Sequence, residues 1–354
     1  MIPKSLPQPE RAIRIERVDA FVFRAPITTP VRTSFGVMHD RPAVFVRMTD
    51  SDGAVGWGEV WCNFPSCGAE HRALLVETVM RPMLLGQRFA SPVEVFTHLS
   101  QRTAVLAIQS GEPGPMAQAI AGVDLALWDL CARRANQPLW RYLGGQSGRV
   151  DVYASGINPD GALDSVATCQ AQGYTTFKLK IGFGQDKDLA NLSAIRQRFG
   201  DGIRLMVDAN QAWTLDEATA MAPRLNSFGL GWLEEPLRAD RPWSEWRALS
   251  AACQTPLAAG ENVAGEDNFA ALLDESPVAV VQPDIAKWGG ISGCWPVMGF
   301  RAQTGGICPV SLNPFTIPIR SQPKWPPNQS ACPCHGMRNA RGNAGAATPL
   351  AKCA

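Results

Sequence analysis

The chain has 354 residues, 45% of them apolar, and a formal charge of +1, enough apolar content for a large core in one big domain or two. A near-neutral balance removes the electrostatic case for nucleic acid or an anionic membrane as partner. No apolar run reaches the length of a membrane span, and MIPKSLPQPERAIRIERV at the start lacks a signal-peptide core, so the expectation is a soluble cytoplasmic protein. The ten cysteines show no paired CxxC spacing. A lone CPCH (Cys332, Cys334, His335) is a weak metal signal, and reduced thiols are expected.

In chain order, residues 13–60 read as strands with turns. AVFVRMTDSDGAVGWGEV is two β-rich runs around an Asp-Ser-Asp-Gly turn, a hairpin pattern. Residues 70–140 read as mostly helical, with Ala119, Ile120, Val123, Leu127 and Leu130 at helical spacing. From residue 150 short apolar runs alternate with helical stretches: VDVYASG, TTFKLKIG, IRLMVDAN, LGWLEEP, TPLAAGEN, VAVVQPDI and GGICPVS. Seven strand candidates separated by helices predict a parallel sheet, and the count favours a (β/α) barrel over a doubly wound sheet, whose Gly-rich phosphate turn is absent after the first strand.

TTFKLKIG carries two lysines one residue apart. Side chains alternate along a strand, so Lys178 and Lys180 share one face while Phe177 and Leu179 share the other. In a barrel the outer face is apolar and covered by helices, which sends both lysines inward. Acids recur at the ends of the next strands: Asp208, Glu234, Glu261 and Asp284, spaced by 26, 27 and 23 residues, about one β/α unit each. At that end of a barrel, side chains converge on the active-site mouth. A single acid there could simply cap the following helix. Three converging carboxylates call for a compensating charge, and all-oxygen ligands suit Mg²⁺.

GWGE, AIAGVDLALWDL, KLKIG, VDAN, WLEEP, GEN and QPDIAKWGG together resemble the mandelate racemase branch of the enolase superfamily over about residues 13–306. The resemblance implies an α/β fold: a modified (β/α)7β TIM-like barrel at 138–312 behind an N-terminal α+β capping domain at 13–137. It also implies Asp208, Glu234 and Glu261 as Mg²⁺ ligands and Lys180 as the base that removes a proton α to a carboxylate. Lys178 is then the neighbour that contacts the substrate carboxylate and, through its charge, favours the neutral amine of Lys180. Asn210 and Lys287 are expected at the substrate. Bidentate binding of the carboxylate to the metal stabilises the enediolate, and the cap, through loops at about 27–40 and 61–68, excludes water and sets specificity. Members carrying a catalytic lysine at the sixth-strand position form other subgroups; Asp284 there implies the branch in which this Asp orients a His on the seventh strand.

That His is missing near Val310: the four histidines are His39, His71, His98 and His335. Residues 306–354 also hold none of the chain's 32 acids, but five Lys/Arg and eight Pro, so 313–354 is expected to be an aberrant irregular tail and the eighth strand disrupted. A frameshift or sequence error near residue 309 would explain this; a lineage-specific tail is the alternative. The function expected is α-proton abstraction from an acid sugar or its lactone, by a dehydratase or cycloisomerase, because racemisation needs a base on both faces. Local similarity of KLKIGFGQDKDL to sugar-lactone cycloisomerases agrees. The alternatives are a racemase or epimerase, or an impaired homologue that only binds metal and ligand. The partner expected is a small carboxylate substrate, with no nucleic acid and no membrane, in a homo-oligomer.

Overall fold

The computed structural model describes residues 5–33 and 36–304. β1 (Ile13–Thr33) and β2 (Gly36–Asp50) form a long antiparallel hairpin, and β3 (Val55–Val60) folds back on β2. The turn between β2 and β3 is an Asx turn: Asp50 Oδ1 accepts from the Asp52 and Ala54 amides, both at 2.9 Å. β4 (Arg88–Phe89) completes a sheet of order β3-β2-β1-β4. Residues 27–40, expected as a loop, are mostly strand: Val31 pairs with Met38 and Thr33 with Gly36 beyond an irregularity after Pro26.

α1 (Gly68–Leu75) runs through a π-helical turn (Val76–Met80) into α2 (Arg81–Leu84), followed by α3 (Pro92–Ser110) and α4 (Pro113–Arg134). The predicted stripe on α4 is buried, and it packs in one core with Val44, Val46 and Met48, alternate residues of β2. α4 also lies directly on β3. A Cβ at Gly58 would sit 2.1 Å from the Gly122 carbonyl oxygen, and one at Gly56 would sit 2.1 Å from that of Ala126. The GWG of the cap is therefore a helix–strand contact that only glycine permits.

α5 (Leu139–Tyr142) leads to β5 (Ala154–Ile157), which begins later than the run VDVYASG suggests. Strands and helices then alternate: α6 (Ala162–Ala171), β6 (Thr176–Lys180), α7 (Gln185–Phe199), β7 (Arg204–Asp208), α8 (Leu215–Leu225) and β8 (Leu233–Glu234). α9 (Trp243–Ala252), β9 (Leu257–Ala259), α10 (Glu266–Glu275), β10 (Val280–Val281) and α11 (Gly290–Thr304) follow. The strands pair in parallel in the order β10-β9-β8-β7-β6-β5, the wall of a TIM-like barrel. The expected seventh strand, the eighth, position 310, the CPCH and the tail lie outside the described residues.

Phe177 and Leu179 are fully buried in one core with Leu192 and Ile195 of α7, so the outer face of β6 is apolar as expected. Cap and barrel are joined by α4. Asp124 Oδ2 accepts from the amides of Ile291 (2.7 Å) and Ser292 (3.0 Å) in the first turn of α11, and Trp128 Nε1 donates to Ser292 Oγ at 3.0 Å. A carboxylate at a helix N-terminus satisfies amides that the helix itself cannot. Asp124 and Trp128 lie one turn apart, so α4 turns both of these side chains to α11 on a single face.

Gly58→Ala should destabilise the cap by about 3 kcal/mol or more, since its Cβ meets backbone atoms that cannot swing aside. Gly114→Ala, in the first turn of α4 with nothing within 4 Å, should change stability by no more than about 1 kcal/mol. Thermal melts followed by circular dichroism compare the two, and equal midpoints would refute the close-approach explanation.

Candidate active site

Strand register brings the site together. Lys180 of β6 lies opposite Asp208 of β7, and Asp208 opposite Glu234 of β8. Lys178 Nζ donates to Glu234 Oε1 at 2.6 Å and lies 3.3 Å from Asp208 Oδ2. Lys180 Nζ donates to Asp208 Oδ2 at 2.7 Å and to Asn210 Oδ1 at 2.6 Å. The Asn210 amide returns a bond to Asp208 Oδ1 at 2.9 Å. Both lysines thus face inward.

Glu261 and Lys287 form a second cluster. Lys287 Nζ donates to Glu261 Oε1 at 3.1 Å and to Asn262 Oδ1 at 2.9 Å, and lies 5.0 Å from the centre of the Trp61 ring, in the cap loop. Asn262 Nδ2 in turn donates to both oxygens of Glu235, at 2.8 and 3.0 Å. Asp284 is buried after β10, its Oδ1 accepting from the Ala286 amide at 2.9 Å.

The charges govern one another. Burial opposes ionisation of Asp208, yet the Lys180 and Lys178 ammoniums outweigh it and hold the carboxyl well below its usual range. Burial likewise works against the Lys178 cation, but the Glu234 and Asp208 carboxylates raise its pKa well above normal. For Glu261 burial is again overcome, here chiefly by Lys287, and the pKa falls. Glu235 goes the other way: burial, then the neighbouring Glu261, push it far up. Burial raises Asp284 to about 6, and raises Glu59 of the cap to about 7 with Asp284 adding to the effect.

Three non-glycine residues at the strand ends have left-handed backbone: Asn210 (φ 45°), Gln211 (φ 64°) and Glu235 (φ 41°). Each costs on the order of 1 kcal/mol or more, a strain that collects at functional sites. Backbone and side-chain bonds support them. The Gln211 amide donates to the Glu235 carbonyl at 2.7 Å, and Gln211 Oε1 accepts from the Ala239 amide at 2.9 Å.

Several neighbours of the site do not stand out in the sequence. Trp232 Nε1 (3.0 Å) and Gln282 Nε2 (2.9 Å) both donate to Glu234 Oε2, so each oxygen of that carboxylate has a fixed partner. Tyr153 lies under Lys178, with Nζ 5.7 Å from its ring centre, and packs edge-on against Trp232. A signal for two of them is nevertheless there: Trp232 precedes Glu234 by two residues and Gln282 precedes Asp284 by two, the alternation that sends Lys178 inward with Lys180.

Asp208, Glu234 and Glu261 offer the all-oxygen donors that Mg²⁺ takes, and Asp208 and Glu234 already share Lys178 as a common cation. Glu261 is drawn aside to Lys287, and among the described residues no three acidic, histidine or cysteine side chains form a ready-made metal cage. Charge compensation, argued from sequence as a requirement for a metal, is supplied here by three lysines. The donors therefore fit the ion in chemistry, and filling the site requires the lysine contacts to rearrange.

Because burial raises the pKa of Glu59, the fold prefers its neutral form. The stability this contributes is complete below about pH 4.5 and is lost as pH rises through about 7. Glu59→Gln should flatten the fall in melting temperature across that window, by up to about 3 kcal/mol of stability change in the metal-free protein. Identical slopes in the two proteins would refute the assignment.

Residues 17–144 match the family described as mandelate racemase / muconate lactonizing enzyme, N-terminal domain, and residues 162–308 match the enolase C-terminal domain-like family. The chain is 34% identical over 282 residues to a 3,6-anhydro-alpha-L-galactonate cycloisomerase of Streptomyces coelicolor, covering 78% of this chain and 76% of that one. It is similar to a solved mandelate racemase/muconate lactonizing enzyme from Bordetella bronchiseptica (56% identity, TM-score 0.79, 84% of this chain and 79% of that one). A racemase from Streptomyces coelicolor, solved with bound magnesium, is 31% identical with TM-score 0.76, covering 83% of this chain and 82% of the other. Further relatives are named as dehydratases, epimerases and racemases. No helix among the described residues is long and apolar enough to cross a membrane. With both family patterns matched and the barrel and cap in place, the chain belongs to the mandelate racemase/muconate lactonizing enzyme family of the enolase superfamily, a family of enzymes.

Proposed function

We propose that this chain removes the proton α to the carboxylate of a small acid sugar or sugar lactone, with Lys180 as the base, and that dehydration or cycloisomerisation follows. The observation that carries this is the pairing of Lys178 and Lys180, on one face of β6, with the acids that end β7 and β8. Lys180 is the one nearer the mouth, its side chain 16% exposed against 5% for Lys178, so it can reach a substrate carbon. Asn210 Oδ1, at 2.6 Å, fixes the direction of its Nζ. Lys178 sits deeper, a permanent cation beside which negative charge on the substrate carboxylate is stabilised as the proton leaves.

Asp208, Glu234 and Glu261 would hold a magnesium ion, with Trp232 and Gln282 orienting Glu234. When bound, the ion supplies Lewis acidity at the substrate carboxylate. Asp284, a buried acid with its pKa raised to about 6, follows β10, a different strand from that of Lys180, and can donate a proton near pH 6. Racemisation would need a strong base on each face, and no histidine lies between residues 99 and 334. The cycloisomerase relative, whose named substrate is an anhydro sugar acid, supports the substrate class.

Deuterium uptake at the α-carbon, measured by NMR in D₂O with a panel of acid sugars and their lactones, tests the chemistry; Lys180→Ala should abolish it. Isothermal titration calorimetry should show magnesium binding that is retained, or tightened, in Lys180→Ala, which frees Asp208, and weakened at least about tenfold in Asp208→Asn and Glu234→Gln. Undiminished exchange in Lys180→Ala would remove Lys180 from the mechanism. Metal binding with no exchange for any substrate would favour a homologue that binds without turnover.

A further inference from the structure

The sequence places Lys287 among the substrate contacts, but its surroundings leave it little to offer a substrate. An ammonium has three donors. Two point to Glu261 Oε1 (3.1 Å) and Asn262 Oδ1 (2.9 Å), and the indole face of Trp61, centred 5.0 Å away, covers the cation from the cap side. The side chain is only 14% exposed. Asn262 carries the connection on to Glu235, with bonds of 2.8 and 3.0 Å. One cap side chain is thus linked through Lys287 to the residues that follow β8, β9 and β10.

The cap loop has a second connection on its other side. A Cβ at Gly36, the first residue of β2, would lie 2.9 Å from Phe64 Cε1, so the loop at 61–67 also supports the turn end of the β1–β2 hairpin. The hairpin end of 27–40 therefore rests on the other segment expected to border the substrate, and that loop reaches the barrel mouth through Trp61.

We propose that Lys287 is a positioning residue rather than a substrate contact: with Trp61 it forms a latch that sets the height of the cap loop over the mouth. It acts through the indole on one side and through Glu261 and Asn262 on the other. This latch concerns the mouth assigned above to catalysis, but its geometry stands whether or not Lys180 is the base.

The test needs no substrate. In the full chain labelled with 5-fluorotryptophan, Trp61→Phe identifies the Trp61 signal in the ¹⁹F spectrum. Lys287→Met should shift that signal and raise its H₂O/D₂O solvent effect, and Lys287→Arg, which restores a cation over the ring, should return it. Amide hydrogen exchange across 60–68 should quicken about tenfold in Lys287→Met and equally in Trp61→Leu, with no further gain in the double variant. Trp61→Leu leaves Glu261 paired, so it reports on the latch even if Lys287→Met folds poorly. An unmoved ¹⁹F signal in Lys287→Met, or additive effects in the double variant, would overturn the latch. Loss of α-proton exchange alone would bear on Lys180 and not on this coupling.

Discussion

Asp208 is nearly inaccessible, at 1% exposure, and remains a carboxylate because two ammoniums from one strand reach it. An isolated buried charge would neutralise itself or cost several kcal/mol. Here Lys178 and Lys180 face Asp208 and Glu234, while Lys287 faces Glu261, so each acid proposed as a metal ligand has a lysine. Removing Lys178 would leave Glu234 buried with no cation, and removing Lys287 would do the same to Glu261, each a destabilising change, whereas Asp208 keeps one lysine when the other is lost. Glu235, next to this group, has no lysine of its own and is pushed far toward its neutral form; burial and Asp208 also raise Glu234, against the pull of Lys178. The mouth is thus assembled by charge balance, and the barrel must hold its strands in a register that permits it.

That register depends on the outer face. Phe177 and Leu179 can turn only toward the helix layer, where α7 buries them, and their burial fixes which way Lys178 and Lys180 point. A slip of one residue would put the lysines among leucines and the apolar pair into the mouth. The core therefore enforces the geometry of the mouth indirectly. The left-handed residues at 210, 211 and 235 fit the same logic: strain at the strand ends is tolerated because the core behind them is strongly determined.

Much of the barrel and its mouth is legible in the sequence. The alternation in TTFKLKIG, the spacing of Asp208, Glu234, Glu261 and Asp284, and the helical stripe on α4 each rest on local periodicity, and the strands and helices follow it. Less legible are relations that periodicity does not encode. VDVYASG is apolar and β-rich, yet pairing with β6 begins only at Ala154, because a strand's limits are set by its partner. The loop expected at 27–40 comes with the family resemblance, but here the antiparallel partner extends the hairpin through most of it. The lysine partners of the acids are hidden for a different reason. Charge compensation can come from a metal or from ammoniums, and spacing alone does not choose between them.

The cap illustrates what such motifs conceal. GWGE and AIAGVDLALWDL serve as marks of a family, yet each has a mechanical meaning. The glycines let α4 touch β3, and Asp124 and Trp128 carry α4 onto the first turn of α11. A Cβ at Gly290 would sit 2.3 Å from Asp124 Oδ2, so the KWGG that opens α11 is shaped to receive that carboxylate. The cap is therefore anchored rigidly through α4 and held at the mouth through Trp61. An anchor of buried hydrogen bonds defines where the cap sits, while a cation under one half-buried indole can yield at much lower cost. On the proposed latch, opening of the mouth falls to the loop that carries Trp61 and not to the cap as a whole.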